Sequence, residues 1–184
     1  MALTYSNLLP LGTSLPPFNL LDSVSGNMIS YTDFEFSKGL VVLFICNHCP
    51  FVHHVNQELV RLYNDYRILG FEFVAISSND VVSYPQDGLY EMRERARIEG
   101  YNFPYLYDES QEVARSFQAA CTPDFYLFNN LNLLVYRGQL DDSRPGNGIP
   151  VSGRSLREAM DAILNNRTIS SHQKPSVGCG IKWK

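Results

Sequence analysis

The chemistry of this chain is concentrated in five residues, Cys46-Asn47-His48-Cys49-Pro50. Two thiols separated by two residues can close into a disulfide and reopen by exchange, so the pair is a candidate dithiol redox centre rather than two small buried side chains. The reactive form is the thiolate, and the flanking sequence offers a place where a thiolate is stabilised. Gly39 to Ile45 is a continuous apolar run, as expected of a buried strand. Val52, Val55, Leu59, Leu62 and Tyr66 then recur at spacings of three and four, the stripe of an amphipathic helix. The cysteines fall on the strand-to-helix turn, where unpaired N–H groups and the helix dipole favour negative charge. On this reading Cys46 sits at the helix N-terminus, has a lowered pKa and attacks, while the more buried Cys49 resolves. Pro50 suits a first helical turn, which loses little for a missing N–H. His48, if protonated, would stabilise a neighbouring thiolate.

Other ligating or nucleophilic residues are scattered. His53 and His54 raise a metal-binding alternative built on Cys46, Cys49 and a histidine. Consecutive helical residues point about 100° apart, so at most one of the two faces the thiols. Both read as surface polar residues, and neither a metal nor an organic cofactor is expected. Cys121 reads as a small residue filling a gap. Cys179 stands between glycines in a tail without periodicity, where flexibility would let it reach a distant thiol, and it is a candidate third redox cysteine.

Composition narrows the class. The chain has 184 residues, 45% hydrophobic and 18% charged, as in an ordinary globular protein of one domain (1–184, with a core at about 15–165 and a tail at 168–184). A net charge of −4 without runs of like charge argues against nucleic-acid or anionic-membrane partners. Met1-Ala2-Leu3-Thr4-Tyr5 has no basic start followed by an apolar run, so no secretory leader is expected. No run reaches the roughly 18 apolar residues of a membrane helix, and the expected compartment is the cytoplasm. Four cysteines are too few for a disulfide scaffold, and in a reducing compartment this spacing is catalytic or metal-binding.

The positioning elements read in order. Residues 1–17 form an extended lead-in, and Phe18 to Tyr31 a short hairpin turning at Gly26; Asp33 to Ser37 then connects to the strand before the cysteines. Phe71 to Ser77 follows the first helix as a second, parallel strand in a βαβ unit. Ser78 to Gly88 is a polar loop, and Leu89, Met92 and Ala96 mark the inner face of a second helix ending at Gly100. Phe103 to Tyr107 contains a proline and reads as an edge strand. Asp108 to Gln111 is a capping box for a third helix. Phe125 to Phe128 and Leu133 to Tyr136, joined by a short turn, make an antiparallel pair, and Ser155 and Glu158 cap a last helix carrying Leu156, Ala159, Met160, Ile163 and Leu164.

This order, with Cys-x-x-Cys at the first helix and Thr122-Pro123 before an antiparallel pair, resembles the thioredoxin superfamily. More narrowly, it is similar to the redoxin branch, the alkyl hydroperoxide reductase/thiol-specific antioxidant family. The tail Gly178-Cys179-Gly180-Ile181-Lys182-Trp183 resembles an ending in a bacterial subgroup of uncharacterised thioredoxin-like proteins. The resemblance implies an α/β thioredoxin-like fold: a central mixed sheet of four or five main strands, helices on both faces, and an N-terminal hairpin extension. It implies a cis Thr122–Pro123 bond facing the cysteines, leaving the backbone of Thr122 open to an extended substrate. Thioredoxin's pattern differs here, since Asn47-His48 separates the cysteines and no Trp precedes them. Where peroxidases of the family carry a Thr three residues before Cys-Pro, this chain has Cys46. The expected activity is thiol–disulfide oxidoreduction by Cys46 and Cys49, supported by His48, Pro50, Thr122 and Pro123. The alternatives are a thiol peroxidase and, from the copper-handling branch, a metal-binding protein. The expected partners are a protein or small-molecule disulfide, or a hydroperoxide, and a thiol reductant.

Overall fold

The computed structural model describes residues 3–34 and 38–184. Met1, Ala2 and part of the expected Asp33–Ser37 connector lie outside the described residues. In chain order the elements are β1 (Leu3–Tyr5), β2 (Asn19–Asp22), β3 (Met28–Ser30), β4 (Gly39–Phe44), α1 (Pro50–Arg67), β5 (Phe71–Ser77) and α2 (Leu89–Glu99). Then follow β6 (Tyr105–Tyr107), α3 (Glu112–Ser116), β7 (Cys121–Thr122), β8 (Asp124–Asn129), β9 (Leu134–Gly138), α4 (Arg154–Leu164) and β10 (Val177–Gly180).

The thioredoxin-like α/β architecture is present. β4 is buried at every residue and lies between parallel β5 and antiparallel β8, which is why its sequence does not alternate. Its side chains still divide between two cores. Val41 and Leu43 join the apolar faces of α1, α2 and α4; Leu40, Val42 and Phe44 join Val113, Ala114 and Phe117 around α3. Helices therefore cover both faces, and β4 points its C-terminal end at the cysteine loop.

Among the described residues the main sheet has seven strands in the order β3-β2-β6-β5-β4-β8-β9, more than the four or five expected. The expected hairpin forms as β2–β3 and is joined to the sheet by β2–β6 pairing. β6 is consequently an interior strand and not an edge. Pro104 does not prevent this, because it precedes the strand and its carbonyl accepts the Ala75 N–H at 2.9 Å.

The lead-in and the tail also differ from expectation. They form a second sheet, β1-β10-β7, in which Leu3 pairs with Cys179 and Cys179 with Thr122. Pairing between chain ends has no local periodicity by which to announce itself. Smaller differences lie at helix ends: Leu89 is exposed, whereas Met92 and Ala96 are buried. The expected side-chain cap of α4 does not form: the N–H groups of Ser155 and Leu156 bond to the Leu140 carbonyl at 3.1 and 3.3 Å, Asp141 holds the preceding Ser152 and Gly153 N–H groups at 2.7 Å, and Glu158 pairs with Arg154 at the surface. Within the described residues no helix is long and apolar enough to cross a membrane.

Phe117 is fully buried, with its ring centroid 5.3 Å from Phe44, 5.4 Å from Tyr126 and 6.0 Å from Phe128. Phe117→Ala opens a cavity between rings held by rigid strands, and is expected to lower stability by about 3–5 kcal/mol. A guanidinium unfolding midpoint measures the loss; a shift well under half that size shows that the cluster closes around the gap.

Candidate active site

The cysteine loop leaves β4 after Phe44, where the Ile45 N–H still bonds to the Ile76 carbonyl at 3.0 Å. α1 then begins at Pro50, with Cys49 as its N-cap in an extended conformation (φ −79°, ψ 119°). This corrects the expectation that Cys46 stands at the helix N-terminus: Cys46 lies three residues upstream, in the loop. The reason is local. A residue before proline is sterically driven from helical to extended backbone, so Pro50 stops the helix from starting earlier. The dipole and unpaired N–H groups act most strongly on Cys49.

The thiols follow that placement. Cys46 and Cys49 are both buried, at 3% and 0% exposure, so the expectation of a more exposed Cys46 has little support. Cys49 accepts a hydrogen bond from the Cys46 thiol, and this contact, with smaller ones from Cys179, the Val52 amide and Thr122, outweighs burial and brings its pKa down to about 5. Cys46 moves the opposite way: the shared proton with Cys49, burial, and the nearby Asp87 carboxylate hold it well above the ordinary thiol value. Cys49 is thereby the more acidic thiol of the pair, the reverse of the sequence expectation.

Asp87 organises the loop and was not found from sequence. Fully buried, its carboxylate accepts the Asn47 N–H at 2.8 Å, Asn79 Nδ2 at 2.8 Å and His48 Nδ1–H at 2.6 Å. Asn47 is held further by Gln86 O (2.8 Å) and by the Tyr105 hydroxyl, which donates to its Oδ1 at 3.1 Å. His48 stacks on Tyr84 at 5.1 Å and 13°, with Nε2 buried and unpartnered among the described residues. His48 thus faces a carboxylate, not a thiolate as expected. His53 donates to the Asn47 carbonyl, and His54 pairs with Ser143 Oγ at 2.7 Å. Donor atoms of Cys46, His48 and Asp87 lie within 4.8 Å of one another; the expected combination of both cysteines with a histidine does not form among the described residues. In sequence Asp87 is one acid of a polar loop, and nothing there distinguished it.

Across the loop the Thr122–Pro123 bond is cis. Thr122 Oγ1 is 3.4 Å from Cys46 Sγ, and its carbonyl oxygen lies 3.2 Å from Cys49 Sγ. Its backbone is not open to a substrate strand, as expected, because β10 pairs with it. Cys179 accordingly sits in a strand and not in a flexible tail, with its sulfur 2.8 Å from that of Cys49. Burial and its contact with Cys49 push the Cys179 thiol up to about 12. Cys121 is fully buried, with its pKa driven upward by that burial and by Asp124, and remains a packing residue. Asp124, also unnoticed in sequence, is 1% exposed, and burial raises its pKa to about 7 despite hydrogen bonds from Tyr126 and its neighbours.

Residues 11–137 match the model of the AhpC/TSA family, more than half of the chain. The chain belongs to the AhpC/TSA family. A search of proteins with curated functions finds no match. An uncharacterized conserved protein from Geobacillus kaustophilus is 55% identical, with a TM-score of 0.98 over 100% of this chain and 97% of that one. A hypothetical protein from Sinorhizobium meliloti 1021 is 45% identical, with a TM-score of 0.96 over 98% of each chain. The thioredoxin domain of a thiol-disulfide oxidoreductase from Bacteroides vulgatus shares the fold, at 19% identity and a TM-score of 0.62 over 73% of this chain and 91% of that one.

Two expectations follow for this AhpC/TSA protein. Titrated by ultraviolet thiolate absorbance, the reduced chain should gain one thiolate with a midpoint near 5. Cys49→Ser should abolish that step, and Cys46→Ala, removing the strongest acidifying contact, should move it upward. A low midpoint that persists in Cys49→Ser places the charge elsewhere. Asp124 binds its proton more tightly folded than unfolded, where its value is 3.8, so stability falls as pH rises from about 4 to about 7 and stays reduced above. Asp124→Asn, isosteric with the neutral acid, should flatten this dependence and raise stability by a few kcal/mol above pH 7, read from unfolding midpoints across pH.

Proposed function

We propose that this chain is a thiol–disulfide oxidoreductase whose redox pair is Cys46 and Cys49. The observation that carries the reading is the acidified Cys49 thiolate at the N-cap of α1, hydrogen-bonded to its partner thiol Cys46. In the reductive direction the Cys49 thiolate attacks a disulfide sulfur of the substrate. A mixed disulfide forms, and one substrate thiolate leaves and is protonated. Cys46, on losing its proton, attacks Cys49 Sγ; the Cys46–Cys49 disulfide forms and the second substrate thiolate departs. A thiol reductant then restores both cysteines. Substrate approaches from a cleft of about 480 Å3 lined by Asn47, His48, His53, Gln86 and Tyr90, since β10 covers the other side at Thr122. His48 lines this cleft, Thr122 contacts both sulfurs from behind, and the cytoplasm, with its thiol reductants, is the compartment that suits the cycle.

A second reading, thiol peroxidase, is favoured by one feature, the acidic thiolate in a Cys49-Pro50 pair. Cys49 would take the terminal oxygen of a hydroperoxide, becoming a sulfenic acid and releasing an alcohol or water. Condensation with Cys46 would then expel water and form the same disulfide. The contacts that acidify Cys49 most strongly are thiols, an amide and Thr122, not a guanidinium.

Parallel turnover with a protein disulfide and with hydrogen peroxide tests both. Expected is turnover of the protein disulfide that falls on the order of a thousandfold or more in Cys49→Ser. The double variant Cys46→Ser/Cys179→Ser, which leaves no thiol beside Cys49 Sγ in the site, should stall as a mixed disulfide trapped on Cys49. Turnover of peroxide alone would move the second reading ahead, and undiminished turnover in Cys49→Ser would remove both.

A further inference from the structure

The Cys46–Cys49 cycle does not use Cys179, yet the fold takes pains to place it. Its sulfur is 2.8 Å from Cys49 Sγ, inside the ~3.5–4.0 Å at which even two carbons rest in contact and approaching the ~2.05 Å of a bond. The strand that carries it is shaped for this approach. A Cβ on Gly178 would lie 2.0 Å from the Thr122 carbonyl oxygen, and one on Gly180 would lie 2.9 Å from Thr4 Oγ1. At Gly178 the obstacle is backbone, so no side chain fits there without lifting β10 off β7; at Gly180 it is the end of the Thr4 side chain, which can turn aside. Gly178, directly before Cys179, is therefore what lets β10 close on the same Thr122 that touches both Cys46 and Cys49.

We propose that Cys179 is a second exchange partner of Cys49, so that the oxidised site holds its disulfide either as Cys46–Cys49 or, parked, as Cys49–Cys179. The proposal rests on the redox reading of Cys46 and Cys49. The step is internal and redox-neutral. Cys179, losing its proton, attacks Cys49 Sγ; the Cys49–Cys179 bond forms, the Cys46–Cys49 bond breaks, and Cys46 leaves as a thiolate that takes up the proton. Its consequence is regulatory. In the parked state the oxidising equivalent is held on β10, Cys49 cannot attack, and Cys46 is returned to the thiol form. Turnover waits until exchange reverses or a reductant opens the parked bond.

Disulfide mapping of the full chain tests this. Reduced protein is oxidised with diamide, quenched in acid, alkylated and digested. Wild type should give both the Cys46–Cys49 and the Cys49–Cys179 peptides; Cys46→Ser should give the second alone and Cys179→Ser the first alone. Gly178→Ala, lifting the strand without removing a thiol, should lower the Cys49–Cys179 yield several-fold. Absence of that peptide from wild type, which requires no variant to fold, overturns the proposal, as does a Cys46→Ser chain that folds normally and keeps its full thiol count. The underlying reading fails differently: a Cys49–Cys179 peptide in wild type without disulfide turnover leaves the exchange standing and removes the oxidoreductase. Turnover in Cys179→Ser, with no Cys49–Cys179 peptide in wild type, does the reverse.

Discussion

The geometry of the site depends on Thr122. Its hydroxyl meets Cys46, its carbonyl meets Cys49, and its backbone pairs with the strand that carries Cys179. The two side-chain contacts span 76 and 73 residues of chain. Contacts so far apart in sequence do not hold themselves together, because each must offset the entropy of closing a long loop. Here that offset comes from the sheet: β4 leads into the cysteine loop, β8 leaves Pro123, and the two pair along six residues, Gly39↔Asn129 to Phe44↔Asp124. The cores on either face of β4 fix where the thiols meet Thr122.

Negative charge is handled differently at each buried group. Asp87 receives donors from Asn47, His48 and Asn79, and by accepting them it ties the cysteine loop to the segment before α2. Cys49 has the helix start and thiol donors around it, enough to acidify it in spite of burial. Asp124 has the Tyr126 hydroxyl and the Phe125 amide, and burial prevails. Charge thus gathers where donors converge, at the turn into α1, and is resisted one strand away. This gives the dithiol an asymmetry that two neighbouring cysteines do not possess by themselves.

The tail gives the site its enclosure. β10 lies between β1 and β7, so the chain's first strand and its last cover Thr122 together. A backbone edge that the family resemblance reserves for substrate is paired with β10 within the molecule.

The sequence by itself determined the elements whose signals are local. The apolar run of β4, the stripe on α1, the hairpin at Gly26 and the Cys-x-x-Cys turn each lie within a few residues, and each is present. The cis bond at Thr122–Pro123 was legible through resemblance. One local signal was legible and misweighed: Pro50 forces the preceding residue out of helical backbone, which makes Cys49 and not Cys46 the N-cap. Only the tertiary structure decided the rest. Asp87 is one acid of a polar loop until the fold buries it beneath Asn47 and His48. Cys179 is a cysteine in a featureless tail until Gly178 beside it lets β10 close on Thr122. Both are partnerships between residues far apart in the chain, and periodicity, caps and turn chemistry encode only what neighbours do; which distant groups meet is settled by how the sheet orders its strands.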